Sequence, residues 1–292
     1  MLKEGTLWKA LVQAGQRAQA AGALKPIPTE FRLLEEDGVP FVVRVVEALA
    51  RKRSFPTDVA PDNATVQNPF LPYDPAMFVA DISPSHVGLL NKFHVVENHL
   101  LIVTRHFEAQ DSLLTESDFQ ALWACLAEFP SLGFYNSGVV SGASQPHKHL
   151  QVIPSSPSQD IRCLPIEPHL DVDSLANRIG VAEALPFVHA LARLEPGNGA
   201  SAREMAALSI DLYARMLRML DLEGTGDCLF PYNLLVMRDW MMMIPRSREC
   251  FGSISLNALA FAGMFLVRDE AGFRELRQSG PMTALRHAGI PR

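Results

Sequence analysis

Cysteine is scarce: four of 292 residues, at 125, 163, 228 and 250, with no CxxC pair and no short Cys/His spacing. Structural zinc sites draw on such spacings, so a zinc-built fold is not expected. Long apolar runs are lacking as well, and no stretch approaches the roughly 18 residues that a membrane-spanning helix needs. Residues 1 to 23 mix charge with apolar positions at Leu2, Leu7 and Leu11, the pattern of an amphipathic helix and not of a signal peptide. Nor is there an excess of basic charge. Lys and Arg number 26 against 32 Asp and Glu, a net charge of −6. Affinity for nucleic acid rests on cations that neutralise phosphates, so such a partner is not expected, and neither is a membrane. A reduced cytoplasmic setting is the expectation. The 48% hydrophobic and 20% charged content suits a globular chain that buries its own core.

Five prolines between Phe55 and Pro75 exclude a regular helix or central strand there and predict an ordered loop. Apolar runs at Met77 to Asp81 and His99 to Thr104 alternate little, as strands buried on both faces do. From Thr115 to Phe129 the spacing of Phe119, Leu122, Trp123, Leu126 and Phe129 predicts a helix, opened by Thr115 and Asp118 as an approximate capping box. Strands are expected at Gly133 to Asn136 and His147 to Ile153. Residues 155 to 200 read as a linker with one short helix. Ser201 and Glu204 then open a second helix with a full capping box, and strands return at Asn233 to Arg238 and Trp240 to Pro245. The segment VVENHLLIVTR (95 to 105) aligns without gaps on VMRDWMMMIPR (236 to 246), each reading as strand, polar turn, strand, Arg. A repeat of that kind predicts two similar halves, of which only the first carries the histidines.

The chemistry concentrates in NSGVVSGASQPHKHLQVI, residues 136 to 153. On an extended strand, side chains alternate, so His147, His149 and Gln151 share one face while Lys148, Leu150 and Val152 share the other. Three polar groups in register on a buried strand are costly unless a ligand or a hydrogen-bond network uses them. A metal site or a satisfied polar core would also use them. The loop just upstream favours a ligand: Ser137, Gly138, Ser141, Gly142, Ala143 and Ser144 are small enough to bring backbone N–H groups and hydroxyls close to an anion. Phosphoryl oxygens held beside an imidazole nucleophile fit that combination.

QPHKHLQ, preceded by NSG and SGAS, resembles the transferase branch of the histidine-triad superfamily, and in particular the ATP adenylyltransferases, also called diadenosine tetraphosphate phosphorylases. NPF at 68 to 70, LLNKF at 89 to 93, NHLLIVTR at 98 to 105, YNLLVMRDWM at 232 to 241, IPRS at 244 to 247 and LNALAFAGM at 256 to 264 extend the likeness over most of residues 50 to 267. The uridylyltransferases of the same superfamily fit less well, since the CxxC pair of many of them is missing. The resemblance implies an α+β fold, an antiparallel sheet with flanking helices in two pseudo-repeated halves, 1 to 154 with the catalytic strand and 155 to 292 packed against it. It implies His149 as nucleophile, His147 as a hydrogen-bonding neighbour and Gln151 as the holder of a phosphate oxygen. Asn136, Ser144 and Gln145 match positions near the phosphates, Asn91 stands where an acidic ribose-binding residue is common, and Lys92 and Lys52 could neutralise distal phosphates. His99 and His106 match histidines with structural hydrogen bonds.

The implied reaction is phosphorolysis of diadenosine tetraphosphate to ATP and ADP through an AMP-histidine intermediate, by a monomer. Mg2+ or another divalent ion would bind mainly through the nucleotide, with no protein metal site. Two alternatives stay open: a related transfer with adenylyl sulfate as donor or a hexose phosphate as acceptor, and a nucleotide-binding protein that no longer turns over.

Overall fold

The computed structural model describes residues 2–47, 68–156, 163–175, 179–195, 200–222 and 230–292. The expected loop from Phe55 onward falls outside the described residues as far as 67, and so does Lys52.

Helix α1 (Leu7–Ala20) buries Leu7, Leu11, Ala14 and Ala18, a single stripe at spacings of three and four. A hairpin of β1 (Thr29–Glu36) and β2 (Val39–Val46) turns at Asp37 and Gly38, both at positive φ, the backbone that a tight two-residue turn requires. Then follow β3 (Phe78–Asp81), β4 (His86–Leu90) and β5 (Leu100–Thr104). Of the two runs expected to be buried on both faces, β5 is, whereas β3 is a partly exposed edge strand that buries only Val79. Helix α2 (Glu116–Leu126) opens on the Thr115–Asp118 capping box, and β6 (Ser131–Asn136) and β7 (His149–Pro154) follow. His147 stands just before β7, paired with Ala109 by a single bridge.

The expected linker contains two strands. β8 (Ile179–Gly180) and β9 (Ala190–Arg193) join the main sheet, and β9 pairs along β11, with Met241 beside Ala192. Their brevity left them without a periodic signal. Helix α3 (Ala202–Met219) has the Ser201–Glu204 capping box in full, and β10 (Tyr232–Val236) and β11 (Trp240–Pro245) come next. A small hairpin, β12 (Cys250–Phe251) and β13 (Ile254–Ser255), precedes helix α4 (Ala258–Phe261), β14 (Met264–Val267), α5 (Glu270–Ser279) and α6 (Pro281–Ala288).

Nine strands form one sheet in the order β3-β4-β5-β7-β6-β10-β11-β9-β8. It is built twice. The chain runs β4, β5, α2, β6, β7 and then β8, β9, α3, β10, β11, and both sets take the same places in the sheet, 4-5-7-6 and 8-9-11-10. The sets meet where β6 pairs antiparallel with β10, Asn136 opposite Asn233. Pro154 pairs with Ser131 as Pro245 pairs with Tyr232, so HLQVIP of β7 corresponds to WMMMIP of β11. His149 thus corresponds to Trp240, and Gln151 to Met242. Two halves are present as expected, but the alignment of 95–105 on 236–246 set β5 against β11, where the ladder sets β7. Residues 91–98 also form no strand. Buried apolar strands look alike by residue class, which is how the wrong pair aligned without gaps.

Each face of the sheet has its own core. Leu150 and Val152 of β7, with Met241 and Met243 of β11, pack under α1, α2 and α3. On the opposite face, Trp240, Met242 and Ile244 are covered by the three-stranded sheet β1-β2-β14 and the C-terminal helices, through Phe41, Phe261, Phe265 and Leu285. The first half turns His149 and Gln151 to that same face.

Candidate active site

β6 and β7 pair from Ser131–Pro154 to Phe134–Gln151 and then separate, releasing the loop 137–148 between them. Gln110 fills the gap. Its side-chain oxygen accepts from His149 N at 2.8 Å, while its amide donates to Asn136 O at 2.9 Å and His149 O at 3.2 Å. A buried amide therefore does for the first residue of β7 what a neighbouring strand would do.

The His149 ring is oriented by the strand itself. Its Nδ1–H donates to the carbonyl of His147 at 2.8 Å, which leaves the lone pair on Nε2. Nε2 has no hydrogen-bond partner among the described residues. Burial lowers the pKa to about 4 against the hydrogen bond to His147, so the ring is neutral near pH 7. Phe70 lies 5.4 Å from it, centroid to centroid. Phe70, Val87, Leu89, Leu101 and Val103 form an apolar cluster beside it.

His147 is fully buried, and both its ring nitrogens are engaged by protein groups. Its Nε2–H donates to Thr104 O at 2.9 Å, and Asn68 Nδ2 donates to its Nδ1 at 3.0 Å. Its work is to hold the carbonyl that fixes His149. Gln151 belongs to a chain of three side chains. Asn91 Nδ2 donates to His99 Nδ1 at 3.2 Å, and His99 Nε2–H donates to Gln151 Oε1 at 2.9 Å. Burial lowers the His99 pKa to about 4, so this neutral relay persists through neutral pH. With its oxygen engaged by His99, the Gln151 amide has only N–H groups left to offer, the polarity a phosphoryl oxygen requires.

On the reverse face lies a buried ion cluster. Lys148 Nζ donates to Glu108 at 2.8 Å, Asp118 at 3.1 Å and Leu113 O at 2.9 Å. His86 Nε2 lies 2.9 Å from the other Asp118 oxygen. Burial acts to raise the Asp118 pKa, but hydrogen bonds from His86 and Thr115 and the Lys148 charge bring it down to about 2. Lys148, which sits between the two histidines, thereby anchors their strand from behind.

The loop opens at Gly138 and closes a short 3-10 turn at Gly142, both at positive φ. At Gly142 a Cβ would come within 2.7 Å of Leu256 O, so this position takes no other residue without displacement. Ser137 and Ser141 are buried, and among the described residues their hydroxyls have no hydrogen-bond partner. A small-residue loop that leads from β6 to His149 can bring backbone N–H groups close to an anion.

Residues 1–172 match the model of the Ap4A phosphorylase N-terminal domain, and residues 183–291 that of the ATP adenylyltransferase C-terminal domain, where Ap4A is diadenosine tetraphosphate. The chain belongs to the Ap4A phosphorylase family. It is 28% identical over 229 residues to diadenosine tetraphosphate phosphorylase 2 of Saccharomyces cerevisiae, over 70% of this chain and 69% of that protein. It is 26% identical to Protein APA1 of the same yeast, over 65% of this chain and 64% of the other. The crystal structure of yeast Ap4A phosphorylase Apa2 in complex with AMP superposes with a TM-score of 0.78 at 25% identity, over 100% and 99% of the two chains. Its complex with Ap4A gives 0.76.

Within this family site, the residues named from sequence divide into three groups. His149, His147 and Gln151 come together, with Asn91 behind them in the relay; the Asn91 Oδ1 accepts from Phe93 N. Asn136 is a joint between the halves, its oxygen accepting from Asn233 Nδ2 at 2.8 Å and Ala258 N at 2.9 Å. Ser144 is exposed and Gln145 half-buried on the loop, and Lys92 is exposed beside Phe93. His106 supplies its carbonyl, not its ring, to Thr104 and His147. Thr104, Gln110, Asp118, Asn233 and Arg246 were missed, since nothing local marks a polar residue that is buried only by tertiary packing. Among the described residues no cluster of three His, Cys, Asp or Glu could hold a metal ion, and no helix is long and apolar enough to cross a membrane.

Proposed function

We propose that this chain phosphorolyses diadenosine tetraphosphate to ATP and ADP through an AMP-histidine intermediate on His149. The observation that carries the reading is the pinned His149 tautomer, Nδ1–H on His147 O with Nε2 left free. His149 Nε2 attacks the α-phosphorus, a P–N bond forms, and the P–O bond to the leaving ATP breaks. Positive charge that develops on the imidazole is stabilised through Nδ1–H by the His147 carbonyl. The Gln151 amide and the loop hydroxyls donate to the non-bridging oxygens. Inorganic phosphate then attacks the same phosphorus, the P–N bond breaks, and ADP leaves with His149 neutral again. Gln151 offers no proton-transfer group to activate water, which favours survival of the intermediate until phosphate arrives. Mg2+ or another divalent ion would travel with the polyphosphate and neutralise it.

Incubation with α-labelled diadenosine tetraphosphate without phosphate should trap one labelled AMP per chain in an acid-labile, base-stable bond at His149, discharged as ADP when phosphate is added. Turnover with no trapped label, or label at another residue, refutes the intermediate. Adenylyl sulfate assayed as donor separates the alternative reading.

A further inference from the structure

Arg246, outside the first half, is 4% exposed and spends its donors on oxygens, three of them on distant segments and two on the chain just after it. Nε donates to Ala288 O at 3.1 Å, Nη1 to Ser141 O at 3.3 Å and Asn233 Oδ1 at 2.5 Å, Nη2 to Arg248 O at 2.7 Å and Glu249 O at 3.3 Å. The ring of Phe261 lies 5.2 Å beneath the guanidinium carbon. None of its hydrogen bonds goes to a carboxylate, although a buried cation is costly without one. Burial lowers its pKa to about 10, so it remains charged near neutrality.

Ser141 O is the informative partner. It belongs to the loop whose Ser137 and Ser141 hydroxyls have no hydrogen-bond partner among the described residues, and it also accepts from Asn233 Nδ2 at 2.9 Å. Asn233 Nδ2 in turn donates to Asn136 Oδ1, at the point where the loop leaves β6. Both ends of the short turn are thus tied to the second half, and Gly142 is pressed against Leu256 and Asn257. The loop's own turn bonds, Ser141 N to Gly138 O at 3.1 Å and Gly142 N to Val139 O at 2.8 Å, set its curve; Arg246 and Asn233 tie that curve to the second half.

We infer that Arg246 is a positioning residue for phosphoryl transfer, holding the Ser141 carbonyl so that the loop 137–145 keeps its place beside the phosphates. This rests on the reading that the loop meets the phosphates of the proposed reaction. It also gives the second half, which has no histidine on β11, a part in the chemistry. Misplacement by about an ångström away from the reacting atoms costs on the order of 10²-fold in rate. Lysine keeps the charge but cannot span five acceptors.

The test compares R246K, N233A, the double variant and F273L, a core substitution on α5 whose ring lies under Arg32, in diadenosine tetraphosphate phosphorolysis and single-turnover adenylylation. Melting temperature and AMP affinity are measured on each. R246K is expected to lose on the order of 10²-fold in adenylylation rate, with AMP affinity little changed and melting no lower than F273L. The double variant should lose far less than the product of the single losses, since both residues hold one carbonyl. An R246K rate equal to that of F273L overturns the inference, as do losses that multiply. If R246K does not fold, N233A decides: a rate loss at unchanged melting supports the inference and a wild-type rate overturns it. A wild-type protein that leaves diadenosine tetraphosphate intact overturns the function reading as well.

Discussion

The two halves of the sheet share strand order and helix placement, yet only one became a site. Between β6 and β7 the chain spends residues 137–148 on a loop, while between β10 and β11 it spends three, 237–239. Where β7 carries His149 and Gln151, β11 carries Trp240 and Met242, both buried under the β1-β2-β14 layer. A strand face can be polar if a ligand satisfies it, and must be apolar if a second layer covers it. On the proposed reading, one half binds and the other braces. The Asn136–Asn233 pair and Arg246 are where the brace meets the loop.

The largest effect should come from removing what distinguishes β7. His149→Ala should abolish AMP transfer while nucleotide affinity stays within about tenfold, because it deletes the nucleophile and few ground-state contacts. Rate and affinity on the same preparation test both parts. Residual turnover above a percent or so would move the nucleophile elsewhere.

A second difference lies behind the strand. The β11 counterpart of Lys148 is the exposed Asp239, so the second half has nothing like the Lys148–Asp118–His86 cluster at that place. Lys148→Met should cost about 3 kcal/mol, because it strands the Asp118 carboxylate in a buried place. Denaturant unfolding measures it. Loss below about 1 kcal/mol would mean that His86 and Thr115 satisfy Asp118 alone.

The first half should also set most of the acid response, with His99, His147 and His149 against His189 in the second. His99 and His149 have pKa values near 4, lowered by burial from the 6.5 of the unfolded chain. Above pH 6.5 both states are neutral and stability is flat. Between about 6.5 and 4 the unfolded chain binds protons that the native chain refuses, so stability falls as pH falls, by very roughly 3 kcal/mol per residue. Asp118 acts lower, its contribution present above the usual carboxylate range and lost as pH falls towards 2. His99→Asn should reduce the unfolding slope between pH 6.5 and 4 without abolishing it, since burial also lowers His147, His149 and His189. By the same logic, the acid limb of single-turnover adenylylation should lie near pH 4 to 5; a limb at 6.5 would contradict a buried, neutral His149.

Much of this was legible because it is local. Capping boxes at Thr115 and Ser201, helical spacing in α2 and α3, and alternation along His147–Gln151 are all written within a few residues. The division of labour within the triad was only half legible, since alternation put His147 on the ligand's face while its ring is consumed by Thr104 O and Asn68. The strands β8 and β9 were illegible because their membership depends on β11 as a template. Gln110 and Arg246 act across 39 and 105 residues, on His149 and Ser141, and no spacing rule reaches that far.

The smallest and sharpest test replaces Gln151 by His, the one position on the open face where an amide could have been a third imidazole. In the structure the Gln151 oxygen accepts a hydrogen bond from His99, and in the proposed reaction its N–H groups serve the phosphate. A histidine there would accept from His99 through one nitrogen and present N–H through the other, so the phosphoryl oxygen keeps a donor. Unlike the amide, however, the ring can be protonated and can pass a proton to or from the attacking group. Gln151→His should then shift the adenylylated enzyme from phosphate towards water, with less ADP and more AMP. A well-placed general base contributes roughly 10²- to 10⁴-fold, and the His99 contact fixes this ring for a different purpose, so a shift at the low end or below is expected. The ADP-to-AMP ratio at fixed phosphate measures it. An unchanged ratio with turnover intact would show that residue 151 does not choose the acceptor, and would transfer that choice to the Ser141 loop and the second-half residues that hold it.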